Sequence, residues 1–115
     1  MTKYLRFIDL KHKLDQEFMR LHSVGQLEMR LLEMISVSAS LDQWRKVTDV
    51  MVSNHLGSPA TIHRSLRLLR DSGLALVFHR GRDQRTKYLQ ASEIVYVYYS
   101  QLGTALTDLA RDDAN

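Results

Sequence analysis

A chain of 115 residues, 44% of them hydrophobic and 25% charged, is the size of one soluble domain, and its small core would gain from a second subunit. The absence of cysteine excludes disulfides, thiol redox chemistry, cysteine nucleophiles and cysteine-ligated zinc. Net charge is only +3, no apolar run nears the ~18 residues of a membrane span, and Met1-Thr2-Lys3-Tyr4-Leu5-Arg6 lacks a secretory apolar stretch, so a cytoplasmic location and no membrane partner are expected.

The first helix is expected over residues 4–21, with Leu10, Leu14, Phe18 and Leu21 on one face and Leu5, Phe7 and Ile8 adding further apolar surface. His22-Ser23-Val24-Gly25 breaks it. A second helix over residues 26–37 places Leu27, Leu31, Met34 and Ile35 together, and residues 38–46 read as a connection in which Trp44 packs. Thr48 is expected to cap a short third helix, with Asp49 near its positive end and Val50, Met51 and Val52 on its apolar side. His55-Leu56-Gly57 then turns the chain.

Ser58-Pro59-Ala60-Thr61-Ile62 is the clearest local signal. Serine is a preferred N-cap, and proline suits the first helical position, where its missing N–H has no partner. This helix buries Ile62, Leu66 and Leu69 and ends at Asp71-Ser72-Gly73, with glycine as C-terminal cap. Strands over residues 74–79 and 85–90 flank the turn Arg80-Gly81-Arg82-Asp83. Ser92 and Glu93 open a last helix reaching Arg111, striped by Val95, Tyr99, Leu102, Leu106 and Leu109 and widened by Ile94 and Tyr98.

Charge is unevenly spread along these elements. Residues 58–90 hold Arg64, Arg67, Arg70, Arg80, Arg82, Arg85 and Lys87 against Asp71 and Asp83 alone; beyond them Glu93, Asp108, Asp112 and Asp113 face Arg111. A helix that packs Ile62, Leu66 and Leu69 inward turns Ala60, Arg64 and Arg67 outward, with Thr61 and His63 beside them. Small early residues allow close approach to base edges, arginine can take guanine O6 and N7 or a phosphate, and Ser58 at the helix start suits a phosphate. Arg80, Arg82, Arg85 and Lys87 around the glycine turn form a thin positive projection suited to a narrow minor groove. Double-stranded DNA is the expected partner.

The run over residues 47–92 resembles the winged-helix domain of the MarR family of bacterial regulators. The resemblance is carried by Ser58-Pro59-Ala60-Thr61-Ile62-His63-Arg64, then Leu66, Leu69, Gly73-Leu74 and the wing motif Asp83-Gln84-Arg85. PadR-like and ArsR-like winged helices share the general layout, and the turn over residues 53–57 is longer than the MarR pattern. The implied fold is mainly α with a small β-hairpin, a winged helix-turn-helix in the order α-α-α-α-β-β-α. The resemblance also implies that Asp83 braces Arg85 or Arg82, that Arg82 enters the minor groove, and that terminal helices build a homodimer. One domain is expected over residues 1–115, with dimerisation helices at 1–22 and 92–115 around a core at 23–91. The interface is expected at Leu5, Ile8, Ile94, Tyr98, Leu102, Leu106 and Leu109, whose apolar surface exceeds what one subunit covers.

His12, His22, His55, His63 and His79 fall at no metal-ligand spacing, so no metal or cofactor is expected. Tyr96, Tyr98 and Tyr99 scatter around their helix and read as packing; a small-molecule effector rests on the resemblance alone. No Gly-rich phosphate loop, G-x-S-x-G or H-E-x-x-H motif occurs, so the chain is not expected to be an enzyme. Three readings stand: a transcriptional regulator, a repressor first; a winged-helix protein–protein interaction module; and a DNA-binding protein of replication or chromosome organisation.

Overall fold

Seven elements follow in the expected order: α1 (Lys3–His22), α2 (Gln26–Ser40), α3 (Val47–Met51), α4 (Pro59–Asp71), β1 (Ala75–Phe78), β2 (Tyr88–Ala91) and α5 (Glu93–Arg111). The computed structural model describes residues 1–52 and 55–111, so part of the turn over residues 53–57 and the acidic Asp112 and Asp113 lie outside the described residues.

Thr2 caps α1, its hydroxyl accepting the Leu5 N–H at 3.2 Å, and Ser23 ends it in the left-handed conformation. Phe18 is buried, while Phe7, Leu10 and Leu14 are half-buried. Leu21, expected on this face, is exposed instead: at 100° per residue it turns some 60° from Phe18, where no described element covers it. Glu28 closes a capping box on α2 by accepting the Gly25 N–H at 2.8 Å. This helix runs to Ser40 rather than to residue 37. Its last serines find partners that suit a helix: Ser40 Oγ donates to the Ser36 carbonyl and Ser38 Oγ accepts from Arg45 Nε. The chain leaves helical geometry only near Asp42, at φ 55°.

The connection after α2 contains pairing that the sequence reading missed. Leu89 N–H donates to the Arg45 carbonyl at 2.9 Å and Val47 N–H to the Lys87 carbonyl at 3.0 Å, with Lys46 opposite Tyr88. Residues 45–47 thus lie as a short extra edge on β2, the side that β1 leaves open. The pairing also moves the start of α3. Lys46, still extended, is its N-cap, and Thr48 sits within the first turn without capping it; Asp49 lies in that turn as expected.

Helix α4 begins and ends where local chemistry requires: Ser58 Oγ accepts the Thr61 N–H at 3.3 Å, Pro59 is the first helical residue, and Gly73 takes φ 75°. β1 and β2 pair antiparallel from Ala75 opposite Ala91 to Phe78 opposite Tyr88, so each strand is shorter than expected and the surplus residues belong to the hairpin loop. Beneath α4, and between it, α2 and β2, lie Leu31, Leu32, Ile35, Val50, Ile62, Leu69, Leu74, Leu89 and Val95, each less than 2% exposed. Each such side chain contributes about 1.5–3 kcal/mol by leaving water.

The terminal helices pack on each other. Near the core the Tyr98 ring stacks on Phe18, with centroids 4.5 Å apart and planes at 23°, and the Tyr98 hydroxyl donates to Asp15. Burial first, then the Asp15 carboxylate, pushes the Tyr98 phenol well above its ordinary range. Tyr98 and Leu102, expected at a subunit interface, are therefore core residues of the single chain. Farther out, Lys3 Nζ reaches the Ala110 carbonyl at 3.3 Å, so the two helices run antiparallel as an arm of a molecule whose whole extent is 55 Å by 28 Å by 25 Å. On this arm Leu106 shares the face of Leu102 and Leu109, yet it is 50% exposed. Leu5 and Ile94 are also exposed, and Ile8 and Leu109 are half-buried. Among the described residues no helix is long and apolar enough to cross a membrane. The architecture is a helix-turn-helix followed by a two-stranded wing, a mainly helical winged helix-turn-helix.

Candidate nucleic-acid interface

α4 presents its polar side as its apolar spacing dictates. With Ile62, Ser65, Leu66 and Leu69 buried, Ala60, His63, Arg64, Arg67 and Arg70 are exposed. Ser58 and Thr61 stand at the start of this face, but their hydroxyls bond each other at 2.9 Å, which ties them to capping the helix. His63, Arg67 and Arg70 form one wall of a cleft of about 680 Å³ whose other wall is β1, through Ala75, Leu76 and Val77. The cleft joins α4 to the root of the wing. Arg70, which the sequence reading counted as charge without giving it a role, belongs to it; its seven-residue spacing from His63, nearly two helical turns, was the available signal.

The wing turn forms at the expected four residues. Asp83 N–H donates to the Arg80 carbonyl at 3.2 Å, and Gly81 takes φ 58°, a conformation that a side chain would strain. Arg82 and Arg85 are exposed beyond the strands. The Arg80 guanidinium instead lies over the Tyr88 ring, 5.6 Å from its centroid, drawn back toward the base of the hairpin. Asp83 does not brace a guanidinium. Its Oδ1 accepts the backbone N–H groups of Arg85 at 2.9 Å and Thr86 at 3.3 Å, organising the returning strand directly. The Thr86 hydroxyl and then these backbone donors hold the Asp83 carboxyl below its ordinary range. His79 Nδ1 meets the Thr86 carbonyl at 2.9 Å and pins the other side of the loop.

A second basic hollow, about 440 Å³, lies where residues 45–47 meet β2: Lys46, Val47 and Thr48 face Arg85, Thr86 and Lys87. Lys46 and Thr48 were not among the expected site residues. The β-branched Val47 and Thr48 directly after Arg45 and Lys46 are the local hint, though they do not specify a partner strand. Among the described residues the ion pairs at Lys11, Lys13 and Arg20 lie on α1, with one reaching α2, and none involves the seven cations between residues 58 and 90. α4, the cleft, the wing and the hollow thus carry exposed cations, with Asp71 in the cleft lining and Asp83 in the wing turn as the acidic residues among them. Among the described residues no cluster of three or more histidines and carboxylates could hold a metal.

No protein-family model matches the chain, and no curated protein does. Among solved structures, the crystal structure of M. tuberculosis Rv0081 aligns over 84% of this chain and 93% of its own at 20% identity, with a TM-score of 0.48.

Proposed function

We propose that this chain is a MarR-like transcriptional regulator, a repressor, that binds double-stranded DNA sequence-specifically as a homodimer and acts by binding rather than by catalysis. In this reading α4 enters the major groove with Ala60, His63 and Arg64 toward base edges, while Arg67 and Arg70 meet phosphate and Arg82 at the wing tip enters the minor groove. The observation that carries it is the set of exposed cations on α4 and the wing, none of which is in an ion pair among the described residues. Dimerisation is supported by Leu106, apolar and half exposed on the packing face of an arm made of two helices. A two-fold pair would set two recognition helices about 34 Å apart on one side of the duplex.

The test is fluorescence anisotropy on duplexes selected from a random pool, at two salt concentrations. Binding should weaken steeply with salt, and Arg64→Ala should cost about 1–3 kcal/mol on the selected site while sparing random duplex. A wild-type chain with no salt-dependent binding overturns the reading in favour of an interaction module. Equal loss on every sequence moves Arg64 from base to phosphate.

A further inference from the structure

A third concavity, about 420 Å³, shares no residue with the basic surface and runs between α2 and α5. Its lining is mostly apolar, from Val37, Leu41 and Leu102, and two of these are oddly placed for a chain in water: Val37 is 59% and Leu41 63% exposed. Tyr96 and Tyr99 supply two further walls, their ring planes at 86° and centroids 6.4 Å apart.

Charge narrows the class of ligand. Glu33 is the one formally charged residue in the lining, and Lys11 holds it only loosely, at 3.7 Å from the α1 side. Burial pushes the Tyr99 phenol up to about 12, the Glu33 carboxylate adding to this and the neighbouring Ser36 hydroxyl working against it, so its ring stays neutral at ordinary pH. An anion entering here would meet a carboxylate and the negative faces of two rings. A cation would be attracted by all three.

We infer that this groove binds a small organic ammonium ion, its apolar body on Val37, Leu41 and Leu102 and its charge between the Tyr96 and Tyr99 rings and Glu33. The volume falls within the ~300–1,000 Å³ of small-molecule sites, whose pattern is an apolar lining with a few convergent polar groups. The inference does not depend on DNA binding and is tested on the DNA-free chain.

Calorimetric titration with benzyltrimethylammonium, its uncharged isostere neopentylbenzene, and benzoate separates the contributions. The ammonium ion should bind saturably with one site per chain, more tightly than the isostere, and benzoate should not bind. Glu33→Gln and Tyr96→Leu should each weaken the ammonium ion by about 2- to 5-fold and leave the isostere unchanged. Tyr96 is exposed, so Tyr96→Leu decides the matter even if loss of the Lys11 contact unsettles Glu33→Gln. Equal affinity for ammonium and isostere, tighter benzoate binding, or variants indistinguishable from wild type overturn the assignment. Absence of saturable binding in the millimolar range also overturns it, and is the result expected if a second copy of the chain fills the groove.

Discussion

Tyr98→Phe isolates one polar contact between the terminal helices. Phenylalanine keeps the ring, so the stack on Phe18 at 4.5 Å survives and no cavity opens. What disappears is the hydroxyl that donates to Asp15. Asp15 has a side chain only 14% exposed, and it keeps Lys11 Nζ at 2.6 Å, so it is not left without a partner. A hydrogen bond to a charged group contributes about 1.5–3 kcal/mol, and the surviving lysine places the expected loss near the lower end, about 1.5–2 kcal/mol. Urea unfolding at fixed protein concentration, with the denaturant slope unchanged, measures it. A cycle with Asp15→Asn should return a coupling of about 1–2 kcal/mol. The contact has a pH signature as well. The Tyr98 phenol is raised in the folded chain, so its contribution is whole below the ordinary tyrosine value of 10.0 and declines as pH rises beyond it. The wild type should therefore lose its advantage over Tyr98→Phe in strong alkali. A variant within ~0.3 kcal/mol of wild type, or strictly additive losses in the cycle, would refute the packing described for α1 and α5.

The wing has the opposite pH dependence: Asp83 is depressed below 3.8, so its bracing is complete above that value and is lost as pH falls through the lower folded value. The Arg85 and Thr86 amide resonances should titrate below pH 3.8, and a midpoint at or above it contradicts the hydrogen bonding. In α4, Leu69→Ala should cost about 2–5 kcal/mol and the neighbouring, 39% exposed Leu68→Ala less than about 1 kcal/mol; equal costs would mean that the buried face is misassigned. Leu106→Lys should shift sedimentation from dimer to monomer with helical content retained, and an unchanged dimer would place the interface elsewhere.

How much of this was legible depended on the distance over which each feature is decided. Both ends of α4 could be read because Ser58, Pro59 and Gly73 act on backbone groups within a turn of themselves. The wing turn was legible for the same reason. The edge formed by residues 45–47 was not, since its hydrogen bonds go to Lys87 and Leu89, far along the chain, and nothing local demands them. Tyr98 lay at the margin of an apolar stripe, where periodicity leaves a residue free to face either a partner subunit or its own core. Phe18 and Asp15 on another helix decide it. Asp83 shows a third case: its place in the motif was clear, but the turn geometry brings two amides to its carboxylate before any guanidinium can reach it.

The paired backbone of residues 45–47 and β2 makes a caliper of the basic face. α3 starts at Val47, whose N–H is itself bonded to Lys87, so the helix-turn-helix and the wing root are joined by backbone hydrogen bonds. This pairing ties the span between α4 and the base of the hairpin to the backbone itself. Adjustment to grooves of different width is left to the loop between Phe78 and Tyr88, which can bend only as far as the contacts of His79 and Asp83 with Thr86 allow. Under the proposed function, a duplex whose minor groove is spaced or shaped differently would have to deform to fit this face, and the cost of that deformation would discriminate among sequences at base pairs that no side chain touches.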